Sequence, residues 1–202
     1  MRLGLLGPSG GDLASFARLA EYLLNGAKVA RAIYLGADEA LDDTVALWAE
    51  SLVGSDPSDS RVWDRALEVA TTGTPEQIDI FLRNERARLR LKQLEGLPSR
   101  GRSVEMLGGG LAVLVHDKAL FDEEDIFSAS LLIYGKSERP LVKRIGPRWF
   151  LTPGPIGAAD GGAIVLDDSD DRIVATFLGP GAHTVRTETL TLPIGARLNV
   201  QE

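Results

Sequence analysis

Arg2-Leu3-Gly4-Leu5-Leu6-Gly7-Pro8-Ser9-Gly10-Gly11-Asp12-Leu13 is the stretch whose reading decides the fold. It begins with a short apolar run that ends in a glycine turn, the pattern of a buried strand. Asp12 stands where a helix N-cap is wanted, and Leu13, Phe16, Leu19, Ala20, Leu23 and Leu24 recur at helical spacing. Asn25-Gly26 supplies the C-terminal stop. Ala30 to Leu35 reads as a second buried strand running into Gly36-Ala37-Asp38. Strand, helix and strand make one βαβ unit, so the two strands are expected to be parallel with a right-handed crossover.

The turn between strand and helix is where an α/β enzyme commonly places its first catalytic or phosphate-binding groups. Here Gly7 to Gly11 holds only Gly, Pro and Ser, with no carboxylate, imidazole or lysine. The frame of a site is present without its chemistry.

Composition narrows the classes. With 202 residues the chain has room for one domain or one domain with an embellishment. No apolar run approaches the roughly 18 residues of a membrane span. Leu3 to Leu6 is too short for the apolar core of a secretory signal. The absence of cysteine removes disulfides, thiol nucleophiles and thiolate metal sites, and a cytoplasmic location is the expectation. A net charge of −7 argues against general nucleic-acid binding, which needs excess Lys and Arg on phosphates. Only His116 and His183 are available to any imidazole-based metal site.

Beyond the first βαβ unit, Leu41, Val45, Trp48, Ala49 and Leu52 mark an amphipathic helix. Ser55 to Ser60 is a turn-rich break, and Val62, Ala66, Leu67 and Ala70 continue the helical pattern. Thr74-Pro75-Glu76-Gln77 predicts a further helix start, with a Thr cap, Pro in the first turn and Gln completing a capping box. That helix carries Ile78, Phe81, Leu82 and Leu89 and is expected to reach Leu94. Its basic residues are Arg83, Arg86, Arg88, Arg90 and Lys92, with Arg100 and Arg102 beyond. Against an acidic chain this is the clearest local charge asymmetry. From Val104 onward, apolar runs near residues 111–115, 131–134, 142–145, 149–152, 163–166, 173–177 and 187–192 are separated by Gly, Pro, Asp and Ser turns, which predicts strands.

In order and frame, these landmarks resemble the calcineurin-like metallophosphoesterases, especially the small bacterial phosphodiesterase type. The opening of that family, a strand followed by Asp-x-His-Gly-Asn-Leu and a helix, is similar to Leu6-Gly7 followed by Pro8-Ser9-Gly10-Gly11-Asp12-Leu13. Its Leu-Gly-Asp step resembles Leu35-Gly36-Ala37, with Asp38 one place late, and its Gly-Asn step resembles Gly54-Ser55. A strand ending in a histidine looks like Leu111 to His116. The Gly-His-Thr-His-x-Pro turn looks like Gly135-Lys136-Ser137-Glu138-Arg139-Pro140, and Asn-Pro-Gly-Ser like Thr152-Pro153-Gly154-Pro155.

The resemblance implies an α/β fold: a layered metallophosphoesterase-like β-sandwich flanked by helices. It covers 1–202 as a single domain with a helical insertion at about 57–103. It also implies a two-metal phosphoesterase site, whose cations clamp the reacting oxygens and acidify bound water. Residue by residue, that site is degenerate. Pro8 and Gly10 stand for the first Asp and His, Ala37 for the bridging Asp, Ser55 for the Asn, and Lys136 and Glu138 for the last two histidines. His116 alone keeps a ligand type in place. No catalytic residue, metal or cofactor is therefore expected, and the implied role is a non-catalytic scaffold or protein-interaction subunit. The small subunit of the eukaryotic retromer coat is a precedent for such use of the fold.

Two alternatives stay open. Asp38, Glu138 and His116 would make a displaced mononuclear site and retain phosphoesterase activity. Gly4, Gly7 and Gly10, with Ser9, Gly10 and Gly11 as the turn, would hold an anion or nucleotide at the helix N-terminus. The spacing departs from GxGxxG, and no Lys-Ser or Lys-Thr follows Gly11, so a Walker loop is excluded. The plain reading of Gly10 and Gly11 is a tight turn. His116-Asp117 reads as a structural strand end, and His183 lies in a glycine-rich loop. The expected partner is a protein, met through Arg83, Arg86, Arg88, Arg90 and Lys92 or through strand edges near Trp149.

Overall fold

A computed structural model of the chain describes residues 1–98, 101–169 and 172–192. Arg100 of the basic stretch lies outside the described residues, as does the chain after 192. Two compact units emerge: Met1–Asp38 with Glu95–Glu202, and Glu39–Leu94.

The larger unit is built from two mixed β-sheets. Its first strand, β1 (Arg2–Leu6), is followed by α1 (Leu13–Glu21), a wide π-type turn over Tyr22–Gly26, and β2 (Arg31–Tyr34). β1 and β2 are parallel, with Leu3 opposite Arg31 and Leu6 opposite Tyr34. The Asp12 carboxylate caps α1 by accepting from Ser15 N at 3.0 Å. The expected βαβ unit is present with its expected cap.

β3 (Leu94–Gly96) lies at one edge of this first sheet. Its remaining strands are β9 (Ala163–Ser169), β10 (Arg172–Leu178) and β11 (Thr184–Leu190), giving the order β11-β10-β9-β1-β2-β3. The second sheet has the order β4-β5-β6-β8-β7. Its strands are β4 (Arg102–Leu107), β5 (Gly110–Val115), β6 (Leu131–Tyr134), β7 (Leu141–Ile145) and β8 (Arg148–Thr152). β5, β6 and β8 run parallel, while β4 and β7 pair antiparallel at the two edges.

The sheets face each other through one apolar core. Leu3 and Leu5 of β1, Ile33 of β2, Leu114 of β5, Ile133 of β6, Leu151 of β8, Ile164 of β9 and Phe177 of β10 all belong to it, each at most 1% exposed. Alternation along β1 sends Leu3 and Leu5 into this core and Gly4 and Leu6 to the other face. A Cβ at Gly4 would stand 3.0 Å from both Leu23 Cδ1 and Ala32 Cβ, so glycine lets the helical layer approach β1 closely. Both faces of β1 are thus covered, which explains a strand that is apolar throughout rather than alternating.

Two short elements were not foreseen. β4 joins β5 through Gly108-Gly109, both at positive φ (56° and 71°), as a tight two-residue hairpin demands. α5 (Glu123–Ser128) starts with a reciprocal Asp122–Asp125 capping box.

The smaller unit is helical: α2 (Ala40–Val53), α3 (Val62–Thr72) and α4 (Pro75–Arg90). The Thr74–Gln77 capping box forms as the sequence predicts. The expected extension of α4 to Leu94 does not. The helix ends at Arg90, a 3-10 turn covers Leu91–Gln93, and Leu94 opens β3. In the larger unit Glu95 is held by Arg31 at 2.6 Å, an ion pair between residues far apart in sequence that helical periodicity does not register. Among the described residues, no helix is long and apolar enough to cross a membrane.

Candidate functional site

The loops after β1, β2, β5, β6 and β8 converge within the larger unit. Gly7 N donates to Gly162 O at 2.8 Å, and Ile156 N to Pro8 O at 2.9 Å. A Cβ on Gly7 would fall 1.8 Å from Gly154 O, so no side chain fits where these loops cross. His116, at the end of β5, reaches the end of β2: its Nδ1 lies 2.7 Å from Leu35 O. A carbonyl only accepts, so Nδ1 is the donor of this bond.

A polar network fills the bay between β1 and β2. The buried Ser9 N–H donates to the Tyr34 hydroxyl at 3.0 Å, and that hydroxyl donates to Asp38 Oδ1 at 2.5 Å. Ser9 Oγ donates to Asp38 Oδ2 at 2.9 Å and accepts from Gly11 N at 3.2 Å. Both carboxylate oxygens of Asp38 are therefore engaged by neutral hydroxyls. Burial first, and then the hydrogen bond to Asp38, push the Tyr34 phenol up to about 12, against a smaller lowering by Ser9. The Tyr34 ring is fixed by an edge-on contact with Phe16, centroids 5.1 Å apart. Sequence reasoning treated Tyr34 as a strand residue only. Its position four residues before Asp38 was the one available signal.

Each residue expected at the site can now be placed. Pro8 is half-buried and offers a carbonyl already bonded to Ile156 N; Gly10 is exposed, at φ +57°. Ala37 is exposed and offers no donor atom in its side chain. Lys136 lies on the turn after β6, with Lys136 N donating to His116 O at 2.7 Å and Nζ bonded to Asp117 Oδ2 at 2.8 Å. That ammonium holds the Asp117 carboxyl below the usual range. Glu138 is exposed on the same turn. Ser55 is an exposed residue of the helical unit, just after α2. His183 closes the loop between β10 and β11, where Gly179 N donates to His183 O at 3.0 Å.

Two bound divalent ions need several carboxylate and imidazole donors pointing at one place. Among the described residues, no group of three or more His, Asp or Glu side chains is placed to hold a metal ion. Asp38, Glu138 and His116 do not form such a group. The residues present do not fit the metal centre that the fold family implies, and no step through one is derived.

The anion reading of Ser9, Gly10 and Gly11 meets an electrostatic obstacle. Gly11 N is bonded to Ser9 Oγ, Asp12 N to Ser9 O and Ser15 N to the Asp12 carboxylate. A negative charge already occupies the helix N-terminus, and its pKa is lowered chiefly by the Ser15 backbone hydrogen bond.

The basic residues of the helical unit divide into two groups. Arg88 is buried: its Nε bonds Glu85 at 2.8 Å and its Nη1 bonds Asp59 at 2.7 Å, while Lys92 also bonds Asp59. The inclusion of Arg88 in an exposed basic face is corrected accordingly, because a guanidinium at 6% exposure needs carboxylate partners within the unit. Arg83, Arg86 and Arg90 are exposed.

Two mixed sheets packed face to face, with a βαβ opening and flanking helices, constitute the calcineurin-like metallophosphoesterase fold. The solved structures it resembles include a Streptococcus pneumoniae protein described as a predicted phosphoesterase, 15% identical, with a TM-score of 0.50 over 94% of this chain and 96% of that one. Vps29 of Chaetomium thermophilum is 13% identical, with a TM-score of 0.48 over 96% of this chain and 100% of that one. A novel archaeal phosphodiesterase is 12% identical, with a TM-score of 0.43 over 94% and 100%. No family model matches the sequence, and no curated protein does.

Proposed function

We propose that this chain is a catalytically inactive protein of the metallophosphoesterase fold, acting in the cytoplasm as a protein-interaction or scaffold subunit. The observation that carries the reading is the occupation of Asp38 by Tyr34 and Ser9. A carboxylate that would bind a cation is instead saturated by hydroxyl donors, and its neighbours at the family's ligand positions are Pro8, Gly10 and Ala37. Lys136 adds a positive charge where an imidazole ligand would be required. Hydrogen bonds among neutral groups and one carboxylate give the loops the cross-links that metal ions would otherwise supply.

Two measurements on the purified chain test this. After incubation with Mn, Fe, Zn or Ni salts and desalting, elemental analysis is expected to find metal far below stoichiometric, and an activated aryl phosphodiester is expected to remain unhydrolysed. Stoichiometric metal together with turnover that disappears in His116→Ala would overturn the reading.

A further inference from the structure

We infer that the exposed face of α4 is a self-complementary surface that pairs with the same helix of a second copy of this chain, antiparallel and about a two-fold axis. Glu76, Asp79, Ile80, Leu82, Arg83 and Arg86 line one shallow groove. The two carboxylates and two guanidiniums are spaced i, i+3, i+7 and i+10, so they form one stripe along the helix. The stripe is acidic in its N-terminal half and basic in its C-terminal half.

Such a stripe complements its own antiparallel copy. With the two-fold axis level with Phe81, Glu76 and Arg86 lie equally far from it, at about 7.5 Å along the helix, and Asp79 and Arg83 at about 3 Å. Each acidic residue then faces a basic residue of the other copy, and every pair occurs twice. Ile80, at 46% exposure, and Leu82, at 42%, flank the axis and meet their own counterparts. The arrangement sets the charge pairs along the seam with an apolar side chain on either side, and it opposes the two helix macrodipoles favourably.

Three of the four charges are also free to do this. The ion pairs of the helical unit, Arg61–Asp56, Arg61–Asp64, Arg65–Glu85, Arg88–Glu85, Arg88–Asp59 and Lys92–Asp59, leave Asp79, Arg83 and Arg86 without a partner among the described residues. Glu76, at the N-terminal end of the stripe, accepts from its own N–H and from Thr74 and remains exposed.

The inference rests on reading α4 as an interaction surface, and it fails separately from the absence of catalysis, because its test reads only self-association. Light scattering and sedimentation equilibrium of the full chain are expected to show a dimer. Glu76→Arg and Arg86→Glu should each weaken it on the order of tenfold or more, since each turns two attractive pairs into two repulsive ones. An equimolar mixture of the two single variants should recover association as a heterodimer, as should the double variant E76R/R86E with itself. Circular dichroism of each variant reports whether α4 remains folded. A chain that stays monomeric at all concentrations overturns the inference. So does a dimer indifferent to both reversals, or one that the mixture fails to restore in variants that keep their helix content. A monomer that instead captures an acidic protein through Arg83 and Arg86 overturns it in favour of a different occupant.

Discussion

The Tyr34 hydroxyl, at the end of β2, donates to Asp38 Oδ1 of the following loop at 2.5 Å. The same oxygen accepts from Ser9 N, which ties the β1 turn to the β2 turn through a single phenol. A chain of hydrogen bonds through Ser9, Tyr34 and Asp38 joins these loops.

Tyr34→Phe should therefore destabilise the larger unit more than loss of one exposed hydroxyl would. It leaves the buried Ser9 N–H without its acceptor and Asp38 without its shortest hydrogen bond. A cost of about 1–3 kcal/mol is expected, since an unsatisfied buried donor loses its full compensation for desolvation. Urea denaturation of the two proteins measures it, and a midpoint equal to that of the parent would refute the role given to this network.

The alkaline limb of stability should carry the signature of the same phenol. Tyr34 is pushed up from 10 to about 12. Below pH 10 the folded and unfolded chains both keep it neutral, so its contribution is fully present. Between pH 10 and about 12 only the unfolded chain ionises it, and stability falls as pH rises through that interval. Tyr134, raised by burial, adds to the slope. Denaturation midpoints followed against pH should thus fall less steeply in Tyr34→Phe than in the parent; parallel slopes would exclude the shift.

The helical unit should respond at the other end of the pH scale. Burial pushes the Glu85 carboxyl up, but the hydrogen bonds from Arg88 and Arg65 outweigh it and hold the group below its ordinary 4.5. A lowered carboxyl contributes stability that is whole above pH 4.5 and is lost as pH falls below it through the folded value. Hydrogen exchange of α3 and α4 should accelerate as pH drops through that range, beyond the intrinsic change. Glu85→Gln should flatten this acid dependence while lowering stability at neutral pH by about 3 kcal/mol, the low end for a broken buried pair because Arg88 keeps Asp59.

Local order governed what could be read early. Leu3, Leu5 and Ile33 announce buried strands because their neighbours in sequence are apolar too. Asp12, Thr74 and Gln77 announce helix starts because a cap bonds to amides two or three residues away. That Pro8, Gly10 and Ala37 carry no metal-binding side chain is equally legible. Arg88 was misplaced for the opposite reason. Its setting depends on Glu85, one turn away, and on Asp59, twenty-nine residues back, and charge spacing along one helix does not reveal which face the tertiary fold will cover.

By itself the sequence determined an α/β sandwich with a helical segment and which residue types stand in the loops after the first strands, since periodicity, capping and residue type are local properties. Only the tertiary structure decided which groups meet in those loops. It set the Tyr34 hydroxyl between Ser9 and Asp38, brought His116 of one sheet onto Leu35 of the other, and separated the buried Arg88 from the exposed Arg83 and Arg86. Those outcomes follow from which strand ends and helix faces come together. Hydrogen bonds acting over about 3 Å are decided by that approach and not by position along the chain.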